Sequence, residues 1–349
     1  MDFKRAVIGL GLDAFRASGL HRLAGAAIRG EGVLLTLHHV RPWLATTGFQ
    51  PNRLLEITPD FLVELLDCVR RLGFDLVTID EALRRLAEGG RPFAVLTFDD
   101  GYRDLAEHAL PILERHEAPF VAYVTTGFAD RSARLWWREF EESLRNLDGV
   151  HIARQGLAID LRTATDGQKT AAFDQIYWAL RAGAEERLLA VVSELAAEAR
   201  VDAAGLVGAL CMDWSEIAAL SRHPLATIGA HSLSHRMLAK WPLAVARDEM
   251  ARSRDEIEAR IGKRVRHFAF PVGDPASAGR REFDLARELG FASAVTTRPG
   301  MLFSEHAGHP TALPRVSVNG LWQDIRAIEV LLSGAAFAVW NRGRRLNVA

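Results

Sequence analysis

The sequence has little of what would place it in several large protein classes. Two cysteines, Cys68 and Cys211, occur in 349 residues, too few for a disulfide framework. Cys68 sits in the apolar helical pattern of Leu62, Leu65, Leu66 and Val69, so a buried free thiol is expected. Excess charge is missing too. The 43 basic and 44 acidic residues leave a formal net charge of −1, which argues against a nucleic-acid binder held by phosphate contacts. No stretch is long and apolar enough to span a bilayer, and no internal repeat or low-complexity segment is present. What remains is the balance of a globular protein, 49% hydrophobic and 25% charged, with both signs mixed along most of the chain.

The beginning of the chain has two readings. Lys4 and Arg5 precede the apolar residues 6–12, and Ala24-Gly25-Ala26 imitates a leader-cleavage site. However, Asp13, Arg16, His21 and Arg22 break the apolar stretch that a leader needs. Phe3, Val7, Leu10, Ala14 and Ala17 fall at helical spacing instead, so residues 1–32 are read as a retained amphipathic basic helix. Packing on the domain is its plain role; weak peripheral contact with the inner membrane face is the alternative. A cytoplasmic protein is expected.

Short apolar runs at residues 33–37, 75–79, 94–98, 120–125, 226–229, 267–270, 292–296 and 313–318 read as strands. Helical periodicity falls between them, over residues 59–72, 81–87, 104–116 and 242–261, through Ala286 and Leu289, and over 322–332. Repeated strand–helix units favour a parallel sheet, open or closed into a barrel. Residues 134–210 interrupt the rhythm with mostly helical sequence and two short strand patterns, near His151 and at 157–161. They read as an insertion in a main domain of residues 33–320, followed by a C-terminal helix and basic tail over 321–349.

His38, Asp99-Asp100, His231 and Pro271 each fall just after an expected strand, at the edge where α/β folds build their sites. Adjacent carboxylates at a strand end point in different directions, so one can bind a metal while the other faces water. Asp-Asp followed by Gly101 is equally good turn chemistry. His231 and His235, four positions apart, suit a grip on one metal from a helical turn; a helix cap or polar pocket is the alternative. An apolar strand delivers them to the same edge as Asp100, and one carboxylate with two histidines makes an open metal site. Pro271 fixes a loop in which Gly273 permits close approach, so the Val272 amide could face a ligand; an ordinary strand-ending turn competes with that reading. His38 and His39 are proton carriers near neutral pH or structural histidines. Trp136-Trp137 would stack on sugar rings or, for at least one of them, pack a core.

Taken in order, these motifs resemble the polysaccharide deacetylase family, whose shared unit is the NodB homology domain (carbohydrate esterase family 4). The matching segments are Thr97-Phe98-Asp99-Asp100-Gly101-Tyr102, His231-Ser232-Leu233-Ser234-His235, Phe268-Ala269-Phe270-Pro271-Val272-Gly273 and Leu313-Pro314-Arg315-Val316. The resemblance implies an α/β fold, a deformed (β/α)7 barrel over roughly residues 33–320. It also implies metal-dependent removal of acetyl groups from an N-acetylated polysaccharide, oligosaccharide or lipid-linked sugar. Asp100, His231 and His235 would hold the metal, zinc or else cobalt, nickel or manganese, and Asp99 would be the general base. The Val272 amide would help stabilise the oxyanion, and a general acid must protonate the leaving nitrogen.

Two departures from the common family pattern affect that assignment. The third motif has Ala269 and Phe270 where many members place an arginine beside the catalytic aspartate, and the late motif lacks a histidine. A subgroup acting on exopolysaccharides, similar to poly-N-acetylglucosamine deacetylases, has a Phe-Ala-Tyr-Pro third motif and draws its acid histidine from an early Tyr-His-x-Val segment. Leu37-His38-His39-Val40 looks like that segment, which makes His38 the candidate acid, with His39 and His309 as alternatives. Arg315 is the candidate replacement for the missing charge. Relatives of this fold also hydrolyse formamides on lipid-linked aminosugars and other small amides, and a non-catalytic glycan-binding relative is the third reading.

Overall fold

A computed structural model describes residue 19 and residues 26–43, 48–154, 156–321 and 323–348. Most of the expected N-terminal helix, and Trp322, therefore lie outside the described residues. Of the described positions within it, Gly19 is not helical, with φ 66°, and Ala26–Arg29 form one helical turn.

The described strands are Gly32–Leu37 (β1), His39–Val40 (β2), Glu56–Ile57 (β3), Asp75–Leu76 (β4), Phe93–Phe98 (β5), Phe120–Val124 (β6), Gly149–Arg154 (β7), Leu157–Arg162 (β8), Ala226–Ala230 (β9), His267–Ala269 (β10), Ser293–Pro299 (β11) and Leu313–Ser317 (β12). Eight form one parallel sheet in the order β1-β12-β11-β10-β9-β6-β5-β4. Because β1 also pairs with β5, from Gly32 with Phe93 to Leu37 with Phe98, seven of them close into a barrel. β4 stays outside the closure, pairing with Phe93 and Ala94, while β6 pairs with residues Leu96 to Phe98 of the same strand.

Every residue of β1 and β5 is buried, because one face fills the barrel and the other meets helices. Leu34, Val95, Val121, Tyr123, Val295 and Leu313 pack together inside. Leu302 and the helix Ile79–Glu88 close that interior at the N-terminal ends of the strands. The opposite faces, including Leu35, Leu37, Leu96 and Phe98, pack with Phe61, Met250 and Phe283 of the surrounding helices. Gly229 has a steric reason: a Cβ there would stand 2.5 Å from the Tyr123 ring.

Local chemistry explains the differences from the sequence reading. The strand expected at 75–79 stops at Leu76, because the Thr78 side chain caps the next helix on the Glu81 N–H. The helix expected at 104–116 begins as a π-turn, Leu105–Ala109, before the α-helix Leu110–Arg115, since Pro111 has no N–H for the regular ladder. The C-terminal helix is two, Ile325–Leu332 and Ala335–Trp340, separated at Gly334 with φ 76°.

Between β6 and β9 stand the helices Trp136–Asn146, Asp166–Arg181, Glu185–Glu198 and Ala203–Leu210, with β7 and β8 as an antiparallel hairpin. Trp136, Trp137, Phe140, Phe173, Ile176 and Val191 give this segment a core of its own. Among the described residues no helix is long and apolar enough to cross a membrane.

A candidate metal centre at the barrel mouth

Strand alternation aims the functional side chains. Phe93 and Val95 face the barrel interior, and the same parity carries Thr97 and then Asp99 inward at the end of β5. It likewise carries Arg315 inward after Leu313 on β12, and His231 after Gly229 past β9. Asp100 falls on the opposite parity. Its φ of 70°, rare outside glycine, turns the chain so that its carboxylate meets the histidines.

The two histidines do not share a helical turn, contrary to the expectation from their spacing. Residues 231–235 form a loop in which Ser232 and His235 have φ of 64° and 58°. Local hydrogen bonds hold it. The His231 N–H donates to the Val124 carbonyl (2.8 Å), and Thr125 Oγ1 donates to the His231 carbonyl (2.9 Å). Ser232 Oγ accepts from the His235 N–H at 2.9 Å. Glu249, on the helix Leu243–Ile261, accepts from both the N–H and the hydroxyl of Ser234 at 2.9 and 2.6 Å.

His231 Nδ1 donates to the Ala269 carbonyl at 2.7 Å, which leaves the Nε2 lone pair for a ligand. That Nε2 lies 3.4 Å from Asp100 Oδ1, and His235 Nε2 lies 3.2 Å from the same oxygen. The three residues are buried, their ligating atoms all lie within 4.8 Å of one another, and Asp100 Oδ1 has no hydrogen-bond partner among the described residues. Buried electron pairs that converge this closely suit a cation between them, and this donor set fits a divalent metal ion. Burial by itself would raise the Asp100 carboxyl, but His235, His231 and His38 outweigh it and hold the carboxyl well below its usual range.

Asp99 is held from the far side. Arg315 Nη1 and Nη2 donate to its two carboxylate oxygens at 2.8 and 2.6 Å. Arg315 Nε donates to the Thr296 carbonyl (2.8 Å) and Nη1 also to Thr97 Oγ1 (3.0 Å), so the guanidinium is fixed although it is only 1% exposed. Burial favours the protonated Asp99, yet the Arg315 charge, with His231 behind it, keeps the carboxyl below its ordinary value.

The other candidates separate cleanly. His38 lines the same cavity as Asp99 and Asp100, and burial pushes its pKa down, partly offset by those two carboxylates. His39 is buried elsewhere, bonded to Asp104 and stacked on Tyr102 at 3.6 Å. His309 is exposed and precedes β12, on the side away from the mouth. Val272 has φ 60°, its carbonyl accepts from Thr297 Oγ1 at 2.7 Å, and its N–H has no partner among the described residues. Pro271 accepts from the Gly273 N–H at 2.6 Å and completes that turn.

His38, Asp99, Asp100, His231, His235 and Val272 line a cavity of about 300 Å³. Trp136, Trp137, Phe173, Tyr177 and Trp178, all from the segment between β6 and β9, form one wall. Trp137 lies 4.7 Å from the His235 ring, Trp136 stacks on Tyr177 at 5.9 Å, and Tyr177 meets Trp178 at 5.1 Å, so aromatic rings run from His235 to the surface. Both members of the Trp136-Trp137 pair belong to a core and to the cavity wall. Sequence reading missed Asn52, which donates from Nδ2 to the Trp137 carbonyl (2.8 Å) and Glu141 (2.9 Å) while lining the cavity. It also missed Tyr177 and Trp178, for which the one available signal was a pair of adjacent aromatic residues in a helical stretch.

A family model for polysaccharide deacetylases matches residues 87–294, more than half of the chain. The chain belongs to the polysaccharide deacetylase family. Solved structures agree at the level of fold. The deacetylase PplD of Streptococcus pyogenes, in complex with acetate, is 15% identical with a TM-score of 0.55, covering 86% of this chain and 96% of its own. IcaB from Ammonifex degensii is 18% identical with a TM-score of 0.53, covering 87% and 97%. A de-N-acetylase from Aggregatibacter actinomycetemcomitans is 13% identical with a TM-score of 0.53, covering 86% and 99%. No curated protein matches the chain. The closed seven-stranded barrel is thus the NodB-type fold that the motifs implied.

Proposed function

We propose that this family member hydrolyses the acetamide of an N-acetylated sugar in a polysaccharide, oligosaccharide or lipid-linked glycan. The observation that carries the reading is the meeting, in one cavity, of the buried Asp100–His231–His235 cluster with an arginine-clamped Asp99 and with His38. A divalent ion, zinc by the chemistry of the donors, would supply Lewis acidity that polarises the acetamide carbonyl and makes water easier to deprotonate.

The chain's own groups divide the remaining work. Asp99 takes the proton of the attacking water, and the Arg315 fork keeps it ionised and aimed. The Val272 N–H faces the carbonyl oxygen as that atom gains charge. His38 delivers a proton to the departing nitrogen. Burial favours neutral His38 at rest. The ring takes up a proton from solvent as negative charge develops beside it and passes that proton to the departing nitrogen, while the proton that Asp99 took from water returns to solvent. The aromatic wall stacks on sugar rings.

The solved PplD complex with acetate, the product such a reaction would release, supports acetyl chemistry in this fold. The basic amphipathic pattern of residues 1–32 supports a place at the inner membrane face, where a lipid-linked substrate would be met. The test is product analysis on N-acetylated and N-formylated aminosugars and their oligomers, with and without added divalent metal. Metal-dependent acetate release is expected. Formate release alone would favour a deformylase, and no turnover of any amide would favour a glycan-binding protein.

A further inference from the structure

A second cavity, of about 200 Å³, lies behind the Pro51–Leu55 segment that walls the first. Pro51, Asn52, Leu54 and Leu55 face the metal-centre cavity, whereas Gln50, Arg53 and Glu56 face the second. The second is polar and unusually rich in arginine: Arg41, Arg53, Arg138 and Arg145 line it, against two carboxylates, Glu56 and Glu141.

Three of the four guanidiniums are matched. Arg41 pairs with Glu56, while Arg138 and Arg145 both bond Glu141 at 2.7 and 2.8 Å and approach Glu142 at 3.7 and 3.3 Å. Arg53 pairs with no carboxylate among the described residues; its guanidinium lies over the Trp43 ring, 3.1 Å from the centroid. Residues 44–47, Leu-Ala-Thr-Thr, bring no charge of their own to this part of the chain. With Glu142 counted beside Glu56 and Glu141, the excess charge of the cavity is therefore Arg53, which lies over an aromatic ring at the cavity wall. Glu141 joins the two cavities physically, since it also accepts from Asn52, which lines the first.

We propose that the arginine-lined cavity is an oxyanion subsite, which binds a phosphoryl or carboxylate group carried by the glycan beside the sugar whose acetamide is cleaved. Guanidinium forks match both anions in geometry, and three arginines already fixed by glutamates meet one without first being ordered. The inference rests on the proposed deacetylation for its meaning, but the binding itself does not.

Titration calorimetry of the metal-loaded full chain with inorganic pyrophosphate and with glucuronate tests it, comparing wild type with Arg53→Gln and Arg53→Lys. Both variants leave the metal ligands untouched, so binding of either probe at the metal is common to all three proteins. Binding weakened at least tenfold by Arg53→Gln, and partly restored by Arg53→Lys, supports the subsite, and the probe that shows the difference identifies the anion. Equal affinity of all three proteins for both probes, or no binding to wild type, overturns it. If acetate release fails altogether while the Arg53 effect on binding persists, the deacetylase reading falls and the subsite stands.

Discussion

Arg315 and Asp99 are 216 positions apart and form a two-pronged ion pair inside the barrel, with N–O distances of 2.8 and 2.6 Å. Leu313 and Arg315 keep one parity on β12, Thr97 and Asp99 keep one on β5, and closure of the barrel brings the two ends face to face. The pair fixes Asp99, the proposed base, leaves Asp100 free to join the histidines, and supplies a guanidinium where the third motif has only Ala269 and Phe270.

Replacing Arg315 should therefore damage activity and stability together. Arg315→Met leaves a buried carboxylate unpaired and should cost on the order of 3–5 kcal/mol in denaturant unfolding. Arg315→Lys keeps the charge but loses the fork, and kcat should drop roughly 100-fold from misplacement of Asp99. Without the positive charge, burial dominates and the Asp99 carboxyl rises, so the acid limb of the kcat/KM profile should move to higher pH in the methionine variant, and less in the lysine variant. An unmoved limb would show that Arg315 does not set the ionisation of the base.

His38→Gln should lower kcat by about 10²–10⁴, the usual range for loss of a general acid, with bound metal unchanged by elemental analysis. His309→Ala, exposed on the other side of the barrel, should match wild type. The reverse pattern would return the proton donor to the late part of the chain.

Much of this site was legible in order along the chain because each motif follows a strand. The parallel strands Val33 to Leu37 and Ala94 to Phe98 are continuous apolar runs, and a run that ends in His38 or in Asp99-Asp100 marks its own exit from the core. Backbone direction was harder. The left-handed residues Asp100, Ser232, His235 and Val272 are not glycines, so composition gives no hint that the chain bends there; the H-x-x-x-H spacing suggested a helical turn for that reason. Contacts between distant segments were out of reach altogether, Asn52 with Glu141 and Tyr177 with Trp136 among them.

Trp178 is 51% exposed at the outer end of the aromatic wall. Trp178→Ala should raise KM for an acetylated oligomer about 3- to 10-fold, the equivalent of one sugar–ring stack. A monomeric substrate, which does not extend that far, should be affected less. Equal effects on both, measured as kcat/KM, would remove Trp178 from the binding path.

His306, at the opposite end of the barrel, predicts a pH dependence of stability separate from catalysis. Burial depresses its pKa from 6.5 to about 4, and Nδ1 accepts from the Phe303 N–H at 3.0 Å. Above pH 6.5 the imidazole is neutral in both states. As pH falls from about 6.5 to about 4 the unfolded chain binds a proton that the folded one refuses, and stability should fall by up to roughly 3 kcal/mol. His306→Asn, which retains an acceptor for that N–H, should flatten the difference when urea unfolding is compared across this window. An unchanged slope would mean that other groups carry it.

The central claim is that Asp100, His231 and His235 hold a divalent ion while Asp99 acts on water beside it. The most direct measurement pairs metal content with acetate release in wild type, Asp99→Asn and Asp100→Asn. Wild type should retain about one divalent ion per chain and release acetate; Asp99→Asn should retain the ion and lose activity by about 10³ or more; Asp100→Asn should lose both. Acetate release by the metal-free Asp100→Asn protein, or full activity in Asp99→Asn, would contradict the account.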